Sequence, residues 1–266
     1  MRLRRIVVVS VLAAGLLAGC AKPATQEPPP TPQEAVAAAS ARTTAVGSAR
    51  ISRLIKWLDA AGNQVGSLMR IEGVIDFTHH LARLDTTAAK PPAGTSSTPV
   101  LTQVYTNNAI YWRLPPDLEK LANKHWVKLD LTTLPENKRP SVEAMVGLGQ
   151  AGVNPERSLH QLDTLVNVTE VGREQLRGVD TRHLKGSVKD GFGIQVEVWL
   201  DDQDRTRRTR DTTPVPVPAS TQAGLPPAPV SFVTTTDYYD FGTKVDVQVP
   251  PDSDTTDFED FGSKSP

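Results

Sequence analysis

The sequence predicts an α+β domain built on an antiparallel β-sheet, and three observations carry that prediction. Apolar residues recur with a period of two over short runs, as in Ile194, Val196, Val198 and Leu200 set against Gln195, Glu197 and Trp199, which is the pattern of half-buried strands. The links between most such runs are too short for a parallel crossover, so neighbouring strands must be antiparallel. Helical patterning is confined to one Ala-rich stretch ahead of the first strand and two short stretches in mid-chain. With 22 prolines and 5% aromatic residues, the core has to come from Val, Leu and Ile on thin elements.

Taken in order, Thr31-Pro32 opens a helix, with a capping hydroxyl, a proline in the first turn and Glu34 at the positive end of the dipole. That helix should run to about Val46, its small side chains suiting close packing on a flat surface. Strands follow at 49–59 and 64–77 around a turn at 60–63. In the second, Met69, Ile71, Ile75 and Phe77 share a face with Gly73, while Arg70, Glu72 and Asp76 share the other and Val74 interrupts the alternation. A third strand is expected at His80–Leu84, and a loop at 90–99.

A hairpin about Asn107-Asn108 should pair 100–107 with 109–114, and Trp126–Leu131 reads as a further strand. Helices are then expected from Ser141 to near Gly147 and from Asn154 to about Val166, the second carrying Leu159, Leu162 and Val166 on one stripe. Strands resume at 166–171, 179–189 and 193–201, with a turn at 201–204. The run RTRRTRDTT, 205–213, is polar on both faces and is expected at an exposed edge or rim. After a Pro/Ala loop at 214–229, strands at 230–239 and 244–249 complete the sheet, and the acidic tail 251–266 reads as disordered.

The first residues have a different character. Arg2, Arg4 and Arg5 precede an apolar run from Ile6 to Leu17, then small residues, then Cys20, the one cysteine in 266 residues. This is the order of a secretory signal, and its apolar run of about a dozen residues is well short of the ~20 that span a bilayer. Leu17-Ala18-Gly19-Cys20 resembles the lipobox of bacterial lipoproteins, which implies cleavage before Cys20 and acylation of its sulfur. Acylation also accounts for a lone thiol in an exported chain, and two acyl chains anchor stably where one does not. The expected divisions are a signal peptide, 1–19, a lipidated cysteine and Pro-rich tether, 20–32, one domain, 33–250, and the tail, 251–266.

Cleavage would leave 26 basic against 30 acidic residues, a net charge of −4. A mildly acidic domain lacks the clustered Lys and Arg that phosphate backbones require, so nucleic acid is not an expected partner. Gly147-Leu148-Gly149-Gln150-Ala151-Gly152 matches GxGxxG, but it follows a helical stretch where dinucleotide binding needs a strand. The five histidines, His79, His80, His125, His160 and His183, show no zinc-binding spacing. Asp240-Phe241-Gly242 lacks the other kinase sequences and reads as a turn, and no GxSxG elbow is present. Asn167-Val168-Thr169 is a sequon without meaning in a bacterial chain. Thr181 and His183 share a strand face and would make either a polar cavity floor or a wet outer surface. No catalytic residue, metal or cofactor is expected.

The order of lipobox, spacer, helix, meander, two helices and second meander, with the runs Val104-Tyr105, Ile110-Tyr111-Trp112, Trp126-Val127-Lys128-Leu129-Asp130, Gly178–His183, Val196–Asp201 and Tyr238–Gly242, resembles actinobacterial lipoproteins of the LppX/LprAFG type. That resemblance implies a LolA/LolB-like fold over about residues 33 to 255, a curled sheet forming an incomplete barrel with helices on its concave face. It implies a lipid or other apolar ligand held between sheet and helices, outside the cytoplasmic membrane. A partner-binding or sensory role with an envelope protein is the alternative. Candidate lining residues are Met69, Ile71, Ile75, Phe77, Val104, Trp112, Val196 and Val198, each of which plain core packing would explain more readily.

Overall fold

The computed structural model describes residues 29–88, 101–133, 155–189, 193–214 and 231–264. The expected signal, Cys20, the helix at 141–147, the GxGxxG run and the loop at 90–99 lie outside them, as does the 214–229 loop apart from Pro214. The described residues form one twelve-stranded sheet with four short helices.

Helix α1, Pro32–Thr44, starts as its sequence requires: Thr31 Oγ1 accepts from the Glu34 amide at 3.3 Å while the Glu34 carboxylate accepts from the Thr31 amide at 2.8 Å. This reciprocal box satisfies two otherwise orphaned amides. Strands β1 (Ser48–Leu58), β2 (Gln64–Asp76), β3 (Leu81–Ala88), β4 (Leu101–Tyr105) and β5 (Ala109–Arg113) follow as a meander. Next come α2 (Pro116–Ala122) and β6 (Trp126–Asp130). Then α3 (Pro155–His160) and a 3-10 turn, Gln161–Thr164, lead into β7 (Leu165–Leu176), β8 (Val179–Val188), β9 (Gln195–Leu200), β10 (Thr206–Pro214) and β11 (Ser231–Tyr239). The chain closes with a 3-10 turn at Asp252–Asp254, β12 (Thr255–Asp257) and α4 (Phe258–Lys264).

Spatial order runs β12-β6-β5-β4-β3-β2-β1-β11-β10-β9-β8-β7, so the sheet has two ends and does not close. Every neighbouring pair is antiparallel except β12 with β6. This is the expected α+β class, a curled, unclosed sheet with a few helices, of which α1 and α3 pack on one face. The small residues Ala35, Val36 and Ala39 of α1 join Leu159, Leu162 and Leu165 in one core with Ile51, Ile71, Ile75, Leu184, Val196 and Val198 of the sheet.

Several elements depart from the sequence reading. The polar run at 205–213 is no rim: β10 lies inside the sheet between β9 and β11. Two of its charges are answered by neighbours, Arg208 pairing with Asp237 at 2.6 and 2.9 Å and Arg207 with Asp201 at 2.8 Å. Helix α3 stops at His160, and Val166, expected on its stripe, instead pairs with Ser187 next to the Leu165↔Val188 pair that starts β7. Helix α2 went unpredicted although Pro116 stands in its first turn. His79 and His80 lie in a turn, not a strand: the Asp76 carboxylate accepts from the amides of Thr78 and His79 at 2.9 and 3.0 Å.

The C-terminal stretch differs most. Residues 244–249 form no strand, but Val247 packs on Val104, Ala109, Tyr111 and Trp126 on the far face of the sheet. The acidic tail expected to be disordered instead forms β12 and α4. His125 holds Asp254 at 2.6 Å, and that contact keeps the carboxyl below its ordinary range.

Gly73 shows why β2 tolerates no side chain at its centre. A Cβ built there would meet the Arg83 carbonyl oxygen at 2.1 Å and the Leu84 side chain at 2.7 Å. Backbone cannot yield as a side-chain tip can, so Gly73→Ala should cost about 1–3 kcal/mol. Urea unfolding of the purified domain checks this, and a variant as stable as the parent would show that β2 and β3 can part there.

Candidate functional site

Register places the apolar candidates. Residues directly opposite in a sheet point to the same side, and the pairs Ile51↔Gly73, Ile71↔Thr86, Ile75↔Ala82 and Val198↔Thr209 put those residues on the helix-facing side. Ile71, Ile75, Phe77, Val196 and Val198 are buried in the main core, with Met69 and Trp112 half-buried against it. Val104 does not join them: it belongs to the separate cluster beneath Val247 on the opposite face. Seven of the eight candidates are therefore brought together and one is not.

The same face carries a polar centre that the sequence reading missed. Arg53 is 4% exposed, and its partners join sheet to helix: Nε donates to Thr236 Oγ1 at 3.0 Å and Nη2 to Ser158 Oγ of α3 at 3.3 Å. The phenols of Tyr105 and Tyr238 are pushed up by burial, an effect the Arg53 charge partly offsets. Asp211, opposite Thr234, keeps some exposure while protein encloses its carboxyl. Burial raises that carboxyl to about 6 against the pull of Arg53.

Other groups on this face are sealed without a partner. Both side-chain amide atoms of Gln103, which is 0% exposed, and the hydroxyls of Tyr105, Thr86 and Thr209 have no hydrogen-bond partner. Each such group costs about 1–3 kcal/mol. A signal existed in strand parity. It reaches only Arg53, which shares a face with Ile51 and Ile55; Gln103 and Asp211 share theirs with Tyr105 and Thr209, which give no apolar contrast.

Over β7 to β9 the outer face carries a network of polar contacts. His183 stacks on Trp199 with centroids 4.1 Å apart, and its Nε2 meets Glu197 at 3.0 Å, while the Trp199 indole donates to Glu174. Thr181, on the same side, donates to the Glu174 carbonyl at 2.7 Å. Thr181 and His183 therefore lie away from the apolar core and floor no cavity in it. Asp201 is buried at the β9–β10 turn. Burial opposes its charge, but hydrogen bonds from Arg205, Arg207 and backbone amides outweigh that and hold it below its ordinary pKa. Nearby, a surface cleft of about 260 Å³ is lined by Arg177, Arg207, Asp237 and Tyr239, with Arg177 lying 4.0 Å over the Tyr239 ring.

Among the described residues, no three His, Cys, Asp or Glu side chains converge as metal ligands, and no helix is long and apolar enough to cross a membrane. The features define an open-sheet α+β domain with an apolar, helix-covered face and a buried polar centre.

No known protein-family profile matches the chain. It is 26% identical over 163 residues to a Streptomyces coelicolor protein named "putative lipoprotein SCO4650". That match covers 59% of this chain and 51% of the other, so the chain spans about half the length of the curated relative it matches. The structure is similar to lipoprotein LppX of Mycobacterium tuberculosis, with 12% identity, TM-score 0.43, and coverage of 80% of this chain and 98% of that one. It is similar to LprF of Mycobacterium bovis, with 11% identity, TM-score 0.43, and coverage of 82% and 96%. A LolA superfamily protein of Nitrosomonas europaea follows at 10% identity and TM-score 0.30, with coverage of 85% and 97%. The chain is thus similar in sequence to a protein named as a lipoprotein, and in fold to two mycobacterial lipoproteins and a LolA superfamily protein.

The raised Asp211 carboxyl makes stability depend on pH with a definite sign. A carboxyl whose folded pKa lies above its unfolded value favours the folded state when protonated, and that contribution is lost as pH rises from about 4 through about 6. Asp211→Asn stays neutral throughout. Its stability relative to the parent should rise by about 1–3 kcal/mol between pH 4 and pH 7.5. Urea unfolding at the two pH values reads the difference, and an unchanged gap would mean that Asp211 titrates normally.

Proposed function

We propose that this chain is an extracytoplasmic lipoprotein, anchored to the cell membrane through acylated Cys20, that binds a lipid or other apolar ligand between its sheet and its helices. The observation that carries the reading is the unclosed sheet's helix-facing side, where Ile71, Ile75, Phe77, Val196 and Val198 gather with half-buried Met69 and Trp112. A surface of this composition holds acyl chains through burial alone, at about 0.8 kcal/mol per CH₂. The likeness to a protein named as a lipoprotein supports the anchor. The proposed divisions are a signal over 1–19, a tether over 20–32 and a ligand-binding domain that begins at 33 and includes β12 and α4. The role is non-catalytic.

A partner-binding or sensory role is the second reading, and the surface cleft of mixed character lined by Leu176, Arg177, Val179, Arg207 and Tyr239 favours it. Lipid content separates the two. The domain purified without its anchor should release lipid into organic solvent in near-equal molar amount by mass spectrometry. A domain that carries no lipid, and takes none up from vesicles, would leave only the partner-binding reading.

The anchor has its own test. Cys20→Ala should abolish incorporation of labelled palmitate and move the protein out of the membrane fraction. Retention of both label and membrane association would place the lipid elsewhere.

A further inference from the structure

We infer that the floor of the helix-facing side recognises an uncharged, hydrogen-bonding group of the ligand, a hydroxyl or an ester, through Gln103 and Tyr105 with Thr86 beside them. The inference rests on the reading that this face takes an apolar ligand, and it adds which kind of amphiphile is selected.

Three observations carry it. First, the residues are neighbours on one face. Gln103 pairs with Leu84 and Thr86 with Leu101, so Thr86 and Gln103 are diagonal partners on β3 and β4, and Tyr105 lies two residues further along β4. Second, they are sealed and unsatisfied: Gln103 is 0% exposed and Tyr105 2%, and neither Gln103 amide atom nor the Tyr105 hydroxyl has a partner. A ligand group reaching them would form its hydrogen bonds without breaking any made by these atoms, which is the condition under which a buried polar set discriminates strongly. Third, the local charges argue against an ion. Arg53 is already held by Thr236 and Ser158, and the Asp211 carboxyl shares its surroundings. An added ammonium would meet the Arg53 charge that acts on Tyr105, and an added carboxylate or phosphate would give up its hydration at a site whose own polar groups, on Gln103, Tyr105 and Thr86, are uncharged. A hydroxyl donates to the Gln103 carbonyl and accepts from its amide or from Tyr105, matching both polarities present.

The competing explanation is that these polar atoms serve packing alone. Three radiolabelled compounds with the same sixteen-carbon chain separate the cases: hexadecanol, hexadecanoate and hexadecane. Each is offered as a dried film to the purified full mature chain, and retained label is counted after gel filtration. The parent should retain hexadecanol at least about tenfold better than either of the others. Gln103→Leu and Tyr105→Phe should each lower hexadecanol retention about fivefold or more while leaving hexadecane within about twofold. Gln103→Leu should also melt no lower than the parent, because it replaces an unpaired buried amide with an apolar group. If it fails to fold, the smaller Tyr105→Phe change still decides. Equal retention of alcohol and hydrocarbon, a preference for hexadecanoate, or variants that bind hexadecanol like the parent would overturn the inference while leaving apolar binding intact. A parent that retains none of the three would instead overturn the ligand reading beneath it.

Discussion

The pairing of β1 with β11 is the constraint on which the rest of the sheet depends. It runs in register from Arg50↔Tyr239 to Leu58↔Ser231 and joins the first meander to the second across most of the sequence. Without it there are two smaller sheets, β12-β6-β5-β4-β3-β2-β1 and β11-β10-β9-β8-β7, and no continuous helix-facing surface. Local bonds reinforce the seam: the Gly242 amide donates to the Ser48 carbonyl at 2.9 Å, and Ser48 Oγ donates to the Thr243 carbonyl at 2.6 Å. The Arg53–Thr236 bond crosses the same seam on the inner side. Contacts so distant in sequence must close a long loop before they are rewarded, so this seam should form late in folding.

The seam also explains how a polar strand comes to sit beside it. β10 lies between β11 and β9, and its side chains divide by parity. Arg208 meets Asp237 outside, while Thr209 and Asp211 face the core alongside Thr236 and Thr234. Arg207 and Arg208 each find an acid on a neighbouring element, Asp201 at the β9–β10 turn and Asp237 of β11. Such paired charges offset their own desolvation without adding much stability. They allow a strand without an apolar face to occupy an inner position, where its backbone groups are satisfied on both sides.

The inner surface is thus not uniformly apolar, and its two characters have separate origins. Valines, leucines and isoleucines supply the bulk of the burial, and α1 can approach closely because Ala35 and Ala39 keep it thin. Arg53, Gln103, Tyr105 and Asp211 interrupt that surface at positions where parity alone would have placed Leu or Val. In β1 the interruption is legible: ARISRLIK alternates cleanly, and Arg53 stands where an apolar residue belongs. In β4 and β10 it is not, since a five-residue strand and a wholly polar one offer no alternation against which a misfit would show. The apolar candidates were legible for the same reason in reverse. Val104 was the exception, because β4 is covered on both faces and its outer cover arrives from residue 247, far along the chain.

By itself the sequence determined the α+β class, the positions of most strands, the capped start of α1, the turn at Asp240–Gly242 and the apolar face of β2. These are local properties, written in side-chain period, capping residues and turn chemistry over a few neighbouring positions. Tertiary structure alone decided the joining of β1 to β11, the central place of β10, the ordering of 252–264 against β6, and the gathering of Arg53, Gln103, Tyr105 and Asp211 on one inner face. Each of those depends on which partner a segment meets across long stretches of chain. A polar residue is costly or useful in a core according to what lies opposite it, and only the assembled sheet supplies that neighbour.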